Sequence, residues 1–189
     1  MHFFKYILSL NLLFFYHDSI AQKNSLINNE KYRPQIHFTP EKNWVNDPNG
    51  MVFYKGTYHL FFQHSPDTTV WSNMSWGHAT SKDLVHWDRK PIAIYPDSLG
   101  LIFSGSAVVD KNNTSGLGKN GIIPLVAMYT SHDMVKEKAG AIDVETQSLS
   151  YSLDEGKTWV KYENKSMGFA NAGISLDVGF SDSRQFCQC

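Results

Sequence analysis

Cysteine is almost missing from this chain. Its two cysteines, Cys187 and Cys189, both lie within the last three residues. The body therefore has neither a disulfide framework nor a thiolate metal cluster. No histidine or further cysteine accompanies the Cys-x-Cys pair, which reads as a frayed chain end. An excess of one charge is also lacking: a net charge of −1 with no basic stripe excludes nucleic acid or an anionic surface as partner. Arginine occurs only at Arg33, Arg89 and Arg184, too few for the cluster of guanidinium forks that a carboxylate-bearing substrate demands. Past the first twenty residues no apolar run is long enough to span a membrane. Nowhere is there a sustained helical period. His59, His64, His78 and His86 lack metal-ligand spacing, so structural hydrogen bonding is their expected role.

One apolar run is present, and it stands at the front. His2 and Lys5 make a short basic start, Tyr6 to Tyr16 is almost wholly apolar, and Ser19-Ile20-Ala21 fits a small-x-small cleavage site. That pattern predicts a secretory signal peptide over 1–21, and hence a secreted or periplasmic protein. Residues 22–31 read as a polar, disordered lead-in. Residues 32–182 supply aromatic and aliphatic side chains enough for the core of one domain.

That domain reads as all-β, with short strands separated by turn signals. Met51 to Tyr54 and Thr57 to Gln63 flank Lys55-Gly56, which predicts a hairpin with a two-residue turn. Further strands are expected at Trp76 to Thr80, Phe103 to Val109, Ile122 to Ser131 and Gln147 to Ser152. Asp110 to Gly121 reads as a surface loop. Ser152-Leu153-Asp154-Glu155-Gly156-Lys157-Thr158-Trp159 matches the Ser-x-Asp-x-Gly-x-Thr-Trp hairpin called the Asp-box. Its role is local: the Asp154 carboxylate bonds the turn's backbone, Gly156 takes the awkward angle and Trp159 covers the hairpin. Such hairpins favour a β-propeller, whose blades are short antiparallel sheets around a channel.

The most chemically loaded stretch is Trp44-Val45-Asn46-Asp47-Pro48-Asn49-Gly50. It reads as an aromatic-flanked turn. Pro48 is expected to push Asp47 into an extended conformation, and Gly50 permits an angle other residues avoid. The amides of Asn46 and Asn49 are candidates to orient an ionised Asp47 carboxylate. An Asx-type turn without chemistry is the plainer reading of Asn-Asp-Pro alone; the density of unusual residues favours a working carboxylate.

With Phe61-Phe62-Gln63-His64-Ser65-Pro66, Trp76-Gly77-His78-Ala79-Thr80-Ser81 and Phe103-Ser104-Gly105-Ser106 following in order, the chain resembles glycoside hydrolase family 32. These are the invertases, levanases and inulinases that cleave β-fructosidic bonds. The resemblance runs from about Tyr32 to about Asp182. It implies a five-bladed β-propeller, of which the chain would hold roughly the first half. It implies Asp47 as the nucleophile of a retaining hydrolysis, with sucrose or a fructan (levan, inulin) as substrate. Trp44, Asn46, Gln63, Trp71, Phe103 and Ser104 fall where the family places sugar contacts. The mechanism uses two carboxylates and calls for no cofactor or metal.

The family pattern also includes an Arg-Asp-Pro motif and a later Glu-Cys motif that carries the acid/base. Here Gly179-Phe180-Ser181-Asp182 is followed by Ser183-Arg184-Gln185, with glutamine in the aspartate's place. No glutamate lies in a matching motif, and Glu137, Glu145, Glu155 and Glu163 read as solvated charges. The off-pattern tail 183–189 gives the expectation of an interrupted front end of a fructosidase that is inactive alone. A non-catalytic fructan-binding protein is the alternative from another class. A sialidase shares the propeller and Asp-box but needs the missing arginines. Related arabinoside-cleaving or fructosyl-transferring propellers would share the nucleophile.

Overall fold

A computed structural model describes residues 30–34 and 37–162, so the expected signal peptide, most of the lead-in, residues 163–182 and the tail lie outside the described residues. The chain divides into Met1–Glu41 and Lys42–Cys189. In the first unit the Arg33 guanidinium gathers the local backbone. It donates to the Glu30 carboxylate at 3.0 and 3.1 Å, to Thr39 Oγ1 and to the carbonyls of Pro40 and Glu41.

The second unit is all-β. Strands β1 (Trp44–Tyr54), β2 (Thr57–Ser65), β3 (Ser75–Ser81) and β4 (Trp87–Ile94) form one antiparallel sheet in sequence order. Strands β5 (Leu101–Val109), β6 (Leu125–His132), β7 (Glu145–Ser152) and β8 (Val160–Lys161) form the second in the same way. Each sheet is an up-and-down meander of four strands, the construction of a propeller blade. Lys55 and Gly56 both take positive φ, 46° and 73°, as the two-residue hairpin between β1 and β2 requires.

Strand β4 is the element that sequence pattern did not single out. Its residues Asp88, Arg89, Lys90 and Pro91 carry no alternating pattern, because β4 pairs on one side only and leaves its other edge to solvent. Strand β6 begins at Leu125 rather than at Ile122. A single helical turn, α1 (Met134–Lys138), sits in the β6–β7 connection. At five residues it is too short to show a period. It exists because Asp133 caps it, its carboxylate accepting from the N–H groups of Val135 and Lys136 at 3.0 Å.

The core joins the two sheets. Val52, Phe61, Trp76 and Ile94 of the first pack with Ile102, Ala107, Leu125, Ala127 and Tyr129 of the second. Aromatic rings dominate this seam. Trp76 lies 5.3 Å from Phe61 and 5.8 Å from Tyr129, and Trp159 meets Phe61 edge-on at 5.3 Å. Such pairs add about 0.5–1.5 kcal/mol beyond the area they bury. Gly50 is what lets strand β1 approach. It has φ +57°, and a Cβ there would stand 3.0 Å from both Phe61 and Trp76.

The Asp-box behaves as expected. The Asp154 carboxylate accepts from Ser152 Oγ, Thr158 N and Thr158 Oγ1 at 2.7–2.9 Å. Burial opposes its charge, yet the bonds from Thr158 and Ser152 outweigh that and hold it below the ordinary carboxylate range. The turn also reaches the first sheet, because Gly156, with φ +83°, lies directly against the His59 ring. His59 and His78 form a buried stacked pair, joined by an Nδ1···Nε2 hydrogen bond of 3.1 Å. Burial lowers both, and His78 falls to about 3, helped by the neighbouring His59 and Lys90.

Two expectations follow. A histidine whose folded pKa lies below its unfolded value is neutral in the fold and charged in the unfolded chain. For His78 this contribution is complete above about pH 6.5 and is lost as pH falls from there towards 3, by about 1.4 kcal/mol per unit, and His59 acts in the same direction. Denaturant melts at pH 7 and pH 4.5 should show this loss, and His78→Gln should shrink it. Separately, Gly50→Ala should lower stability by about 1–3 kcal/mol through positive φ and the ring contacts, read from the same melts.

Candidate active site

The pocket arises where an extra residue interrupts each of two innermost strands, at Asp47 in β1 and at Phe103-Ser104 in β5. In β1, Asn46 pairs with Gln63 and Pro48 with Phe62, so Asp47 between them has no partner across the ladder. In β5, Ile102 pairs with Ser131 and Gly105 with Tyr129, so Phe103 and Ser104 together face Thr130 alone. These are β-bulges, which turn side chains out of the regular alternation. Between the two bulges opens a pocket of about 390 Å³, within the range of small-ligand sites.

Six residues singled out in the sequence line it: Asn46, Asp47, Gln63, Trp71, Phe103 and Ser104. They are spread over 59 positions but converge because β1 and β5 lie side by side. Trp71 comes from the β2–β3 connection, 43% exposed, and meets Phe103 edge-on at 6.2 Å. Trp44 is not among the lining residues. Its indole N–H donates to Asn46 Oδ1 at 2.6 Å, which leaves the Asn46 amide nitrogen for a ligand. His64 supports the arrangement from below, donating from Nδ1 to the Trp44 carbonyl at 2.7 Å.

The local reading of Asp47 requires two corrections. It does not sit in a turn but inside β1, and it is not extended: its φ is +35°, a left-handed value that aspartate tolerates better than most residues. The steric push of Pro48 is overridden by the bulge, which needs one residue out of line. Nor do the two asparagine amides orient the carboxylate. Asn46 is bound to Trp44, and Asn49 Nδ2 donates to the backbone carbonyl of Asp47 at 2.9 Å. Asn49 therefore holds the strained main chain, and the carboxylate is left exposed at the pocket.

Gln63 is the most telling of the group. It is 3% exposed, yet its Nε2 has no hydrogen-bond partner among the described residues. A buried donor left unpaired costs roughly 1–3 kcal/mol. A ligand hydroxyl oxygen in the pocket would remove that cost.

Thr130 and Glu145 also line the pocket, and sequence pattern identified neither. Glu145 is thus not a merely solvated charge, as it had read. Glu155 does read correctly, pairing with Lys55 at 2.7 Å on the surface. Glu137 contacts His132, and Glu163 lies outside the described residues. The signal for Thr130 and Glu145 is register: Thr130 faces the β5 bulge, and Glu145 pairs with His132 across β6 and β7. Trp76 and Trp159 take packing roles, Trp87 donates its indole N–H to the Leu84 carbonyl at 3.1 Å, and the four histidines expected to bond structurally do so.

Two four-stranded meanders sharing an aromatic seam, with a carboxylate pocket at their inner strands, define consecutive blades of a β-propeller of the glycosidase kind. The chain belongs to glycosyl hydrolases family 32, whose N-terminal domain matches residues 37–175. It is 58% identical over 133 residues to a levanase of Bacillus subtilis, covering 70% of this chain and 18% of that protein. It is 51% identical over 144 residues to an extracellular exo-inulinase of Aspergillus niger, covering 71% and 27%. Among solved structures, exo-inulinase from Aspergillus awamori superposes with a TM-score of 0.64 at 50% identity, over 71% of this chain and 28% of that one. A fructofuranosidase variant from Schwanniomyces occidentalis complexed with fructosylnystose gives 0.64 at 48%, over 73% and 27%. The chain thus spans less than a third of the length of these relatives.

The Trp44 contact is testable. Trp44→Phe keeps the ring and removes the donor, leaving Asn46 free to flip. Stability is expected to fall by about 1 kcal/mol through loss of that bond, as measured by denaturant melts of the full chain.

Proposed function

We propose that this chain supplies the nucleophile side of a β-fructosidase pocket, acting on terminal β-fructosyl groups of sucrose or of fructans such as levan and inulin. The observation that carries the reading is Asp47 raised from a strand bulge beside the buried, unpaired amide of Gln63. Support comes from relatives named levanase and exo-inulinase, and from a neighbour complexed with fructosylnystose. Asp47 attacks the anomeric carbon and forms a fructosyl ester, which water then cleaves. Asn46, Gln63 and Ser104 hold sugar hydroxyls, while Trp71 and Phe103 offer ring faces and edges. Trp44 serves by fixing Asn46.

Retention needs a second carboxylate about 5–5.5 Å from the first, to protonate the departing oxygen and then activate water. In the family this is the glutamate of the Glu-Cys motif, which has no counterpart in these 189 residues. Turnover of natural sugars by these residues alone should therefore fall short by roughly 10²–10⁴ from that term. A second reading is a fructan-binding protein that uses the same pocket. Export is part of the proposal, from the leader at 1–21 and the extracellular inulinase relatives. Among the described residues no helix is long and apolar enough to cross a membrane.

A leaving group that departs without protonation separates attack by Asp47 from the missing acid. With nitrophenyl β-fructofuranoside, the bond from Asp47 Oδ to the anomeric carbon forms as the aryl ether breaks and nitrophenolate leaves with the electron pair. The expected result is a burst of about one equivalent of nitrophenolate per chain, with a fructosyl adduct on Asp47. Asp47→Asn should abolish both. Binding without a burst would support the binding-protein reading instead.

A further inference from the structure

We propose that Glu145 is a substrate-contacting residue that favours fructosyl chains over single sugars, an inference that rests on the fructosidase reading above. The pocket's lining is graded outward from the inner strands. Asp47 and Ser104 stand on β1 and β5, Gln63 and Thr130 on the second strands β2 and β6, and Glu145 on the third strand, β7. Two strand spacings separate β5 from β7, roughly 9–10 Å. That span exceeds one furanose ring. The lining from β1 and β5 out to β7 is therefore wide enough for a further unit beyond the ring at Asp47.

Glu145 also has a fixed neighbour. His132 lies directly across from it in the β6–β7 register, with Nδ1 3.4 Å from Glu145 Oε1. That approach has ion-pair distance but not hydrogen-bond alignment, and His132 Nδ1 is left without a hydrogen-bond partner. The imidazole itself is fixed. Its Nε2 meets Glu137 Oε2 at 3.1 Å, and its face stacks on Phe103 at 4.5 Å with the rings 8° apart. The Glu145 side chain stands beside this buried, immobilised histidine and is 58% exposed at the pocket. An ionised carboxylate presents two acceptor oxygens, which suits a pair of sugar hydroxyls.

The second, independent observation lies at the other end of the same pocket. Gln63 Nε2 is buried and unpaired there, so the cavity awaits polar groups at its inner wall as well as at its rim. One occupant that meets both is a fructosyl oligosaccharide, its terminal ring at Gln63 and its next unit at Glu145.

Calorimetric titration of the full 189-residue chain with fructose and with fructosylnystose tests this. Glu145→Gln should weaken fructosylnystose roughly tenfold and leave fructose affinity and the thermal midpoint unchanged. Glu145→Asp, with the charge but a shorter reach, should also weaken fructosylnystose. A purely structural partner of His132 would instead lower the melting temperature without changing the ratio of the two affinities. If Glu145→Gln binds both sugars as the wild type does, or loses both equally, the inference is overturned and the fructosidase reading stands. If the wild-type chain binds neither sugar, both fall.

Discussion

Trp76 donates its indole N–H to the carbonyl of Phe103 at 2.9 Å while its ring is completely buried between the two sheets. The bond starts in the second pair of the first blade and ends in the bulge of the second. It therefore links the aromatic seam, which holds the sheets together, to the irregular backbone that shapes the pocket. Inside a water-excluded core such a bond is costly to lose, because neither group has solvent to turn to. Phe103 is thereby fixed by its main chain, and its ring is free to stack on His132 and to meet Trp71.

The rest of the site repeats this logic of holding reactive groups through their neighbours. Asp47 is aimed by a bulge and a positive φ, with Asn49 bound to its carbonyl and no bond spent on its carboxylate by the asparagines beside it. Asn46 is set by Trp44, which is set in turn by His64. Bulges serve here because a regular strand alternates its side chains and would bury or expose them in fixed order. An extra residue at Asp47 and another at Phe103-Ser104 break that order where chemistry needs it. The strain is local and is absorbed by a core of close-packed rings.

Much of the site was legible as motifs. Six of the pocket's residues, from Asn46 to Ser104, were identified from sequence, because sugar-binding chemistry draws on conspicuous types: amides, indoles, a carboxylate beside proline. The strand pattern was legible wherever strands bury a face. It failed at β4, an edge strand whose charged residues and Pro91 meet solvent, and at α1, which depends on one cap rather than a period. The conformation of Asp47 was read wrongly, since the preference set by the following proline is weaker than the bulge imposed by the flanking Asn46–Gln63 and Pro48–Phe62 pairs.

The sequence by itself determined the all-β class, the Asp-box, the family and the carboxylate on which the chemistry is proposed to turn. Each of these is written in contiguous residues whose local stereochemistry or hydrogen bonding is sufficient to mark them. Only the tertiary structure decided that Thr130 and Glu145 belong to the pocket, that Trp44 stands behind it, and that Gln63 carries a buried unpaired donor. Those facts depend on strand register, on which residues are left unpaired by a bulge, and on which face of a sheet is covered. Register couples positions far apart in the chain, through ladder bonds and packing that no single segment encodes.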